Sequence, residues 1–202
     1  RLTFKSYPCG SISHPYMDCA LKIKQKHSPK PVEIAQIVCR TAEGPVHRLW
    51  EPLADKRKPV SSYGAKFSLP YSIAVMLVRG RAGLEEFTEQ AIHDAAVLDL
   101  ARRVRYELDP AIDYPRHFSG HVKVFMKNGV VFEENQPHPR GGFEDPLPPA
   151  EIDEKFRANA RLALPMEKVE ATIAAVKQLE VLPSIGILTE LLIPGKRGTA
   201  GS

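Results

Sequence analysis

Hydrophobic residues recur at helical spacing in two segments, and a proline-containing start signal precedes each one. In Ser13-His14-Pro15 the proline fits the first helical turn, where an N–H group has no helical partner to lose. The apolar positions that follow predict a helix that runs to His27. Residues 67–80 are the most apolar segment; they contain a second Ser-x-Pro signal and end at a glycine, which predicts a buried helix.

Shorter patterns predict two more helices and a small sheet. Residues 84–92 and 95–106 have helical periodicity. Residues 32–41 are rich in residues that favour strands and predict one. Alternation over 121–133, interrupted by an Asn-Gly pair, predicts a β-hairpin with a two-residue turn.

Proline and glycine separate these elements from one another and from the C-terminal part. Residues 44–63 mix prolines with charges and predict an irregular excursion, and residues 136–149 predict a linker. Apolar positions at helical spacing over 149–161 and 166–180 predict two amphipathic helices.

The predicted elements together define a fold class and a domain division. We expect an α+β fold, with a small mixed sheet and packed helices in a domain over residues 1–145. Helices follow over 146–193, and residues 194–202 are expected to form a flexible tail.

The amino-acid composition excludes several classes of protein. With 202 residues, 43% hydrophobic and 26% charged, the chain can bury an ordinary core, which excludes collagen-like and wholly disordered proteins. The longest apolar run, Ile73–Val78, is far shorter than the about 20 residues of a membrane helix, and no signal peptide is recognisable. We expect a soluble, cytoplasmic protein with no membrane partner.

Charge and cysteine content exclude two further classes of site. The net charge of +4 comes without a basic stripe, which disfavours a nucleic-acid partner and suits an anionic small molecule. Cys9, Cys19 and Cys39 have no C-x-x-C spacing, so we expect buried free thiols rather than a disulfide or a zinc site. No acid-rich or His-x-x-x-His pattern predicts a metal, and no phosphate-binding glycine motif predicts a nucleotide cofactor.

Candidate chemistry concentrates at the two helix starts. Lys5 precedes the first helix and His14 begins it; Lys66 precedes the buried helix and Tyr71 lies in its first turn. A helix N-terminus carries about +0.5 of a charge and favours an anion, and a nearby lysine strengthens the attraction. Histidine or tyrosine there can exchange a proton with a bound carboxylic acid. The alternative is an ordinary helix cap beside a solvated lysine.

A third polar turn, His138-Pro139-Arg140-Gly141-Gly142, contains an arginine whose guanidinium can bind a carboxylate with two hydrogen bonds. A purely structural loop is the alternative reading of this turn.

These motifs, in this order, resemble those of the MmgE/PrpD family, which includes 2-methylcitrate dehydratase, cis-aconitate decarboxylase and iminodisuccinate epimerase. The matching stretches are FKSYPCG (4–10), Ser13-His14-Pro15, KFSLPYSIA (66–74) and HPRG (138–141).

The resemblance implies a two-part, homodimeric enzyme that works without metal or organic cofactor on small di- and tricarboxylic acids. This chain would supply an α+β lid and the returning C-terminal helices of a large helical domain. The family's N-terminal helical domain, which carries an aspartate and histidines of the site, is missing from this chain and would be its partner in the full-length protein. The resemblance assigns catalytic roles to Lys5, His14 and Tyr71, and substrate binding to Lys66 and Arg140.

Among the family's reactions, we expect dehydration of a 2-methylcitrate-like hydroxy acid, as in propionate metabolism. Epimerisation and decarboxylation are alternatives, because all three build carbanion-like charge beside a carboxylate. A non-catalytic organic-acid-binding relative is the rival from another class.

Overall fold

A four-stranded mixed sheet organises the first of two compact units into which the chain divides between Pro146 and Leu147. The computed structural model describes residues 3–194. The strands lie in the order β2-β1-β3-β4, with β1 and β2 parallel and the other pairs antiparallel. Their bounds are β1 Ile34–Thr41, β2 Val104–Leu108, β3 Gly120–Met126 and β4 Val131–Gln136.

Helices cover one face of this sheet. The first helix packs across β3 and β4 and against the apolar fifth helix, which in turn contacts the sixth. Along β3 every second residue is buried, as expected for a sheet with one covered face. The helices are α1 His14–His27, α2 Val46–Leu49, α3 Leu53–Arg57, α4 Ser62–Ala65, α5 Leu69–Arg79 and α6 Ala95–Ala101.

Helix α5 is the centre of the core. Nine consecutive residues, Leu69 to Leu77, are buried, which confirms the predicted buried helix. Ser68 caps it: its hydroxyl accepts a hydrogen bond from the Tyr71 N–H at 3.1 Å. Gly80 ends the helix at a φ of 72°, in the left-handed region that glycine adopts without steric cost.

The predicted helix over 95–106 is wrong in its second half. The helix ends at Ala101, and residues 104–108 form β2 beside β1, with Ile37 opposite Val104. The Arg103 guanidinium donates to the carbonyl of Ile34 at 2.6 Å, which fixes the connection against β1. Backbone pairing with a distant strand thus overrides the local helical periodicity.

The predicted helix over 84–92 is also wrong. Two short 3₁₀ turns, Glu85–Phe87 and Ala91–His93, occupy this segment. The Thr88 hydroxyl accepts a hydrogen bond from the Ala91 N–H at 3.1 Å. The side chain of Glu86 accepts one from the Gly83 N–H at 2.8 Å. These local side-chain bonds satisfy backbone donors outside a helix and compete with one.

The segment over 44–63, predicted to be irregular, contains α2, α3 and the start of α4. Its Trp50 is fully buried between the rings of Tyr16 and Tyr106, with ring centroids 6.2 and 5.1 Å away. Trp50 and its buried neighbour Leu49 therefore anchor the segment to the core.

The second unit begins with the two predicted helices, α7 Pro149–Ala160 and α8 Met166–Lys177, and continues with α9 Ile185–Leu191. Its small core consists of Leu164, Val169 and Ile173. Of the predicted tail over 194–202, residues 195–202 lie outside the described residues.

Close packing of β3 on the first turn of α1 predicts that Gly120→Ala destabilises the protein. A Cβ at this position would lie 2.3 Å from the carbonyl carbon of Pro15, and backbone cannot yield as a flexible side chain can. We expect a loss of about 2–3 kcal/mol in the free energy of unfolding, measured in urea. The control is Gly83→Ala, whose Cβ would meet its nearest neighbour at an ordinary 3.5 Å. Equal stability of the two variants would contradict this packing.

Candidate active site

Backbone hydrogen bonds join the three segments that carry the predicted cations. The Phe4 N–H donates to the carbonyl of Gly141 at 2.9 Å, and the Gly10 N–H donates to the carbonyl of Lys66 at 3.0 Å. The loop that contains Lys5 is thereby tied to both other segments. Positions that lie more than 130 residues apart in the sequence become neighbours.

Gly141 makes the first of these junctions possible. Its φ of +87° lies in the left-handed region, and a Cβ there would lie 2.5 Å from the carbonyl oxygen of Phe4. Its own N–H donates to the carbonyl of Asp145 at 2.7 Å. The glycine thus allows the two loops to approach each other closely.

The ammonium groups of Lys5 and Lys66 both influence the pKa of the Cys9 thiol. The Lys5 ammonium donates to the carbonyl of Cys9 at 3.2 Å. Burial raises the pKa of the Cys9 thiol to about 12, although both ammonium groups oppose the shift. The thiol is therefore neutral at physiological pH and is not a nucleophile. Both lysines therefore place positive charge near Cys9.

Tyr7 and Asp18 link His14 to Arg140 in a second cluster. His14 is buried, and its ring contacts the edge of Tyr7 with centroids 5.3 Å apart. The Tyr7 hydroxyl donates to Asp18 Oδ1 at 2.7 Å. The Nε of Arg140 lies 3.1 Å from the same oxygen, which gives an ion pair with a buried carboxylate and a partly exposed guanidinium. Tyr7 therefore connects the predicted histidine to the predicted arginine through one carboxylate.

Tyr71 lies at another cavity. Its hydroxyl donates to the carbonyl of Glu86 at 2.7 Å and lines a cavity of about 200 Å³ whose walls include Arg79 and Asp94. Burial raises the pKa of Tyr71 to about 12, helped by the negative charge of Asp94. Lys5, Lys66, His14 and Arg140 do not line this cavity. The convergence of Tyr71 with Lys5 stays a prediction.

Sequence reasoning missed Tyr7 and Asp18. The available signal was an aspartate among the apolar residues of a predicted helix, four positions after a candidate histidine. At that spacing two side chains share one helix face. Because Lys and Asp are rarely fully buried unless paired, such an aspartate points to a partner elsewhere in the chain.

The described residues contain neither a cluster of metal-ligating side chains nor a membrane-spanning helix. Within residues 3–194, no group of three or more histidine, cysteine, aspartate or glutamate side chains is arranged to hold a metal ion. In the same range, no helix combines the length and apolar character needed to cross a membrane.

Comparison with known proteins places this chain. The C-terminal domain of the MmgE/PrpD family matches residues 7–181. The chain belongs to the MmgE/PrpD family. This MmgE/PrpD chain is 30% identical to cis-aconitate decarboxylase of Homo sapiens over 199 residues and 29% identical to that of Mus musculus over 201 residues. A cis-aconitate decarboxylase of Aspergillus terreus is 29% identical over 150 residues, or 72% of this chain and 30% of the relative.

The human and mouse alignments cover 95% of the MmgE/PrpD chain but only 40% and 39% of the relatives. The chain thus spans about two fifths of the length of these curated relatives. The sequence resemblance to the family is confirmed, whereas the roles of individual residues stay predictions.

The glycine at the loop junction yields a prediction about Lys5. Gly141→Ala should release the loop, because its Cβ would strike the carbonyl of Phe4. We expect trypsin to cleave after Lys5 several-fold faster than in the parent chain, measured by mass spectrometry of the product that begins at Ser6. Gly129→Ala is the control: its φ is +85°, but a Cβ would meet nothing within 4 Å. Equal cleavage of both variants would show that φ strain rather than the junction is responsible.

The buried thiols yield a second prediction. Cys9 and Cys19 both have a pKa raised by burial to about 12. At pH 8 we expect Ellman's reagent to leave the folded chain unmodified and to titrate three thiols in urea. Unfolded thiols ionise near 9, so the folded state binds more protons between the two values and loses stability as pH rises from about 9 towards 12. Rapid labelling of the folded chain would contradict this burial.

Proposed function

We propose that this chain is the C-terminal part of a cofactor-independent lyase for small di- and tricarboxylic acids. Lys5, Lys66 and Arg140 bind the carboxylates of the substrate, and His14 and Tyr71 transfer protons. The observation that carries the proposal is the joining of three distant cation-bearing segments by backbone hydrogen bonds. Loops with only a structural role would not need to bring the segments that carry Lys5, Lys66 and Arg140 next to one another.

Charge explains how such a site promotes a lyase reaction. Whether a carbon–carbon bond to a carboxylate breaks or a proton next to a carboxylate leaves, an electron pair develops on carbon. Fixed cations stabilise that charge in the transition state more than in the ground state. The two ammonium groups beside Cys9 and the guanidinium beside Asp18 provide such cations.

The two candidate proton-transfer groups are Tyr71 and His14. With a pKa of about 12, the Tyr71 hydroxyl keeps its proton at physiological pH and suits the role of acid. To reach a substrate, it must exchange its hydrogen bond with the Glu86 carbonyl for one to the substrate. His14, at the start of α1, is the second candidate for proton transfer.

Decarboxylation of a cis-aconitate-like acid is the reaction that the relatives favour, because the human, mouse and fungal proteins are cis-aconitate decarboxylases. In that reaction the carboxylate leaves as CO₂, its electron pair stays on the carbon skeleton, and an acid supplies the proton that replaces it. Dehydration of a 2-methylcitrate-like acid, the first expectation from the sequence, uses the same cations. 2-Methylcitrate is therefore tested as a substrate alongside cis-aconitate.

The remaining parts of the proposal follow from family membership. A helical domain would face this lid and supply the opposing acid and base residues, so that closure forms a dry cleft. The complete protein would be a cytoplasmic homodimer.

The test compares this chain alone with the same chain joined to its family-type helical domain. Substrates are cis-aconitate, citrate and 2-methylcitrate, followed by CO₂ release and by absorbance of the conjugated double bond. We expect turnover only by the longer protein. Turnover by the chain alone at a similar rate would contradict the two-part site. Binding of the acids without turnover by the longer protein would favour the organic-acid-binding relative.

Two substitutions in the longer protein test the residue roles. Lys5→Ala should raise KM at least tenfold, because it removes a carboxylate contact. Tyr71→Phe should lower kcat about 10²- to 10⁴-fold, because it removes an acid. The controls are Lys30→Ala and Tyr63→Phe, which change an exposed lysine and an exposed tyrosine. If Tyr71→Phe behaves like Tyr63→Phe, Tyr71 has only a packing role.

A further inference from the structure

Asp18 is the most deeply buried carboxylate of the candidate site, with only 1% of its surface exposed. Its neighbours on α1, Met17, Cys19 and Ala20, are buried apolar residues. Burial raises the pKa of Asp18, because desolvation disfavours the charged form. A carboxylate in such surroundings costs stability unless its partners compensate. Its presence therefore requires an explanation.

The partners of Asp18 are concentrated on one of its two oxygens. Oδ1 accepts the hydrogen bond from the Tyr7 hydroxyl and faces the Arg140 Nε. Oδ2 is buried and has no hydrogen-bond partner among the described residues. Most buried polar side-chain atoms in proteins have a hydrogen-bond partner, so this oxygen is an exception. The contacts of Asp18 therefore serve to hold Arg140 in position rather than to provide hydrogen bonds for both carboxylate oxygens.

The contacts and exposure of Arg140 suit a guanidinium that Asp18 holds in position. Its backbone carbonyl accepts a hydrogen bond from the Ser6 hydroxyl at 3.3 Å, so the residue is also connected to the Lys5 loop. About a quarter of its side chain, 24%, stays exposed while the carboxylate beneath it is covered. The Arg140 Nε thus lies at ion-pair distance from the carboxylate beneath it, without the geometry of a hydrogen bond, and part of the side chain stays exposed.

Tyr7 extends the same arrangement to His14. Its hydroxyl is engaged by Asp18, and the edge of its ring meets the imidazole. Asp18 and His14 are four residues apart on α1 and share one face. His14 contacts the ring of Tyr7 and not the carboxylate, so a change at Asp18 acts directly on Arg140 and leaves the contact between Tyr7 and His14 in place.

We propose that Asp18, acting with Tyr7, is the positioning residue that sets the guanidinium of Arg140 for a substrate carboxylate. The inference rests on the proposed function, since it deepens the role of the same site. Asp18 does not touch the substrate; it acts through Arg140, and the hydroxyl of Tyr7 keeps Oδ1 in place.

A positioning role and a structural role predict different kinetics. Loss of a carboxylate contact made equally in the ground state and the transition state raises KM and leaves kcat nearly unchanged. Loss of folded protein lowers the active fraction, and hence the apparent kcat, without changing KM. The ratio of the two effects separates the roles.

The experiment uses the longer protein and the variants Asp18→Asn, Tyr7→Phe and Arg140→Ala, with Tm measured for each. We expect Asp18→Asn to raise KM about tenfold, with kcat within about threefold of the parent. Tyr7→Phe, which keeps the ring against His14, should raise KM less. The double variant Asp18→Asn/Arg140→Ala should have the KM of Arg140→Ala alone, because Asp18 acts only through the arginine.

Glu170→Gln is the matched control. It removes the carboxylate that pairs with the Nε of another arginine, Arg157, at 2.6 Å in the second unit. Its KM should equal that of the parent protein.

A binding measurement separates this inference from the proposed function. The probe is tricarballylate, a saturated tricarboxylate without a hydroxyl group or a double bond, titrated by calorimetry. If the parent protein neither binds it nor turns over any acid of the panel, the proposed function fails. If the parent binds it and Asp18→Asn binds equally well, the positioning role is overturned. Additive effects of Asp18→Asn and Arg140→Ala on KM would overturn it as well.

Discussion

Contact between the first turn of α1 and the first residue of β3 is the constraint on which the rest of the structure depends. Gly120 lies against the backbone of Pro15 and Tyr16 at a distance that leaves no room for a Cβ. The Cys19 thiol meets the carbonyl of Gly120 at 3.4 Å on the same side. Because α1 is pressed onto the sheet here, His14 and Asp18 are buried at a fixed place between helix, sheet and loops.

The candidate site is built from this buried helix face outward. Loops with lysine and arginine side chains surround it. The N-terminal loop donates backbone hydrogen bonds to the carbonyl of Gly141 and to the carbonyl of Lys66. Positive charges that would repel one another in a free chain are brought together because backbone hydrogen bonds and apolar burial outweigh that repulsion. The buried carboxylate of Asp18 offsets part of the excess charge at Arg140. The result suits an anionic ligand and agrees with family membership.

Local patterns predicted most of the fold but not all of it. The helix after Ser13, the buried helix after Ser68 and a hairpin around Asn128-Gly129 are confirmed, because caps, proline positions and turn residues act within a few positions. The predicted two-residue turn of that hairpin is wrong: three residues, 127–129, connect the strands, and Gly129 but not Asn128 has the positive φ that a two-residue Asn-Gly turn requires at both positions. The same approach was wrong over 104–106, where the chain begins β2 instead of continuing a helix, because β1 lies beside it. Sequence alone also missed how deeply Trp50 is buried, since its contacts come from distant elements.

By itself, the sequence determined the elements with strong local signals, the motif order of the family and the identity of the candidate residues. Only the tertiary structure decided which of them are neighbours. Lys5 and Lys66 both oppose the raised pKa of the Cys9 thiol. Tyr7 contacts His14 and donates to the carboxylate that pairs with Arg140, while Tyr71 donates to the carbonyl of Glu86. The physical reason is that capping and periodicity are short-range. Charge pairing across more than 100 residues depends on the burial and backbone bonding of the complete domain.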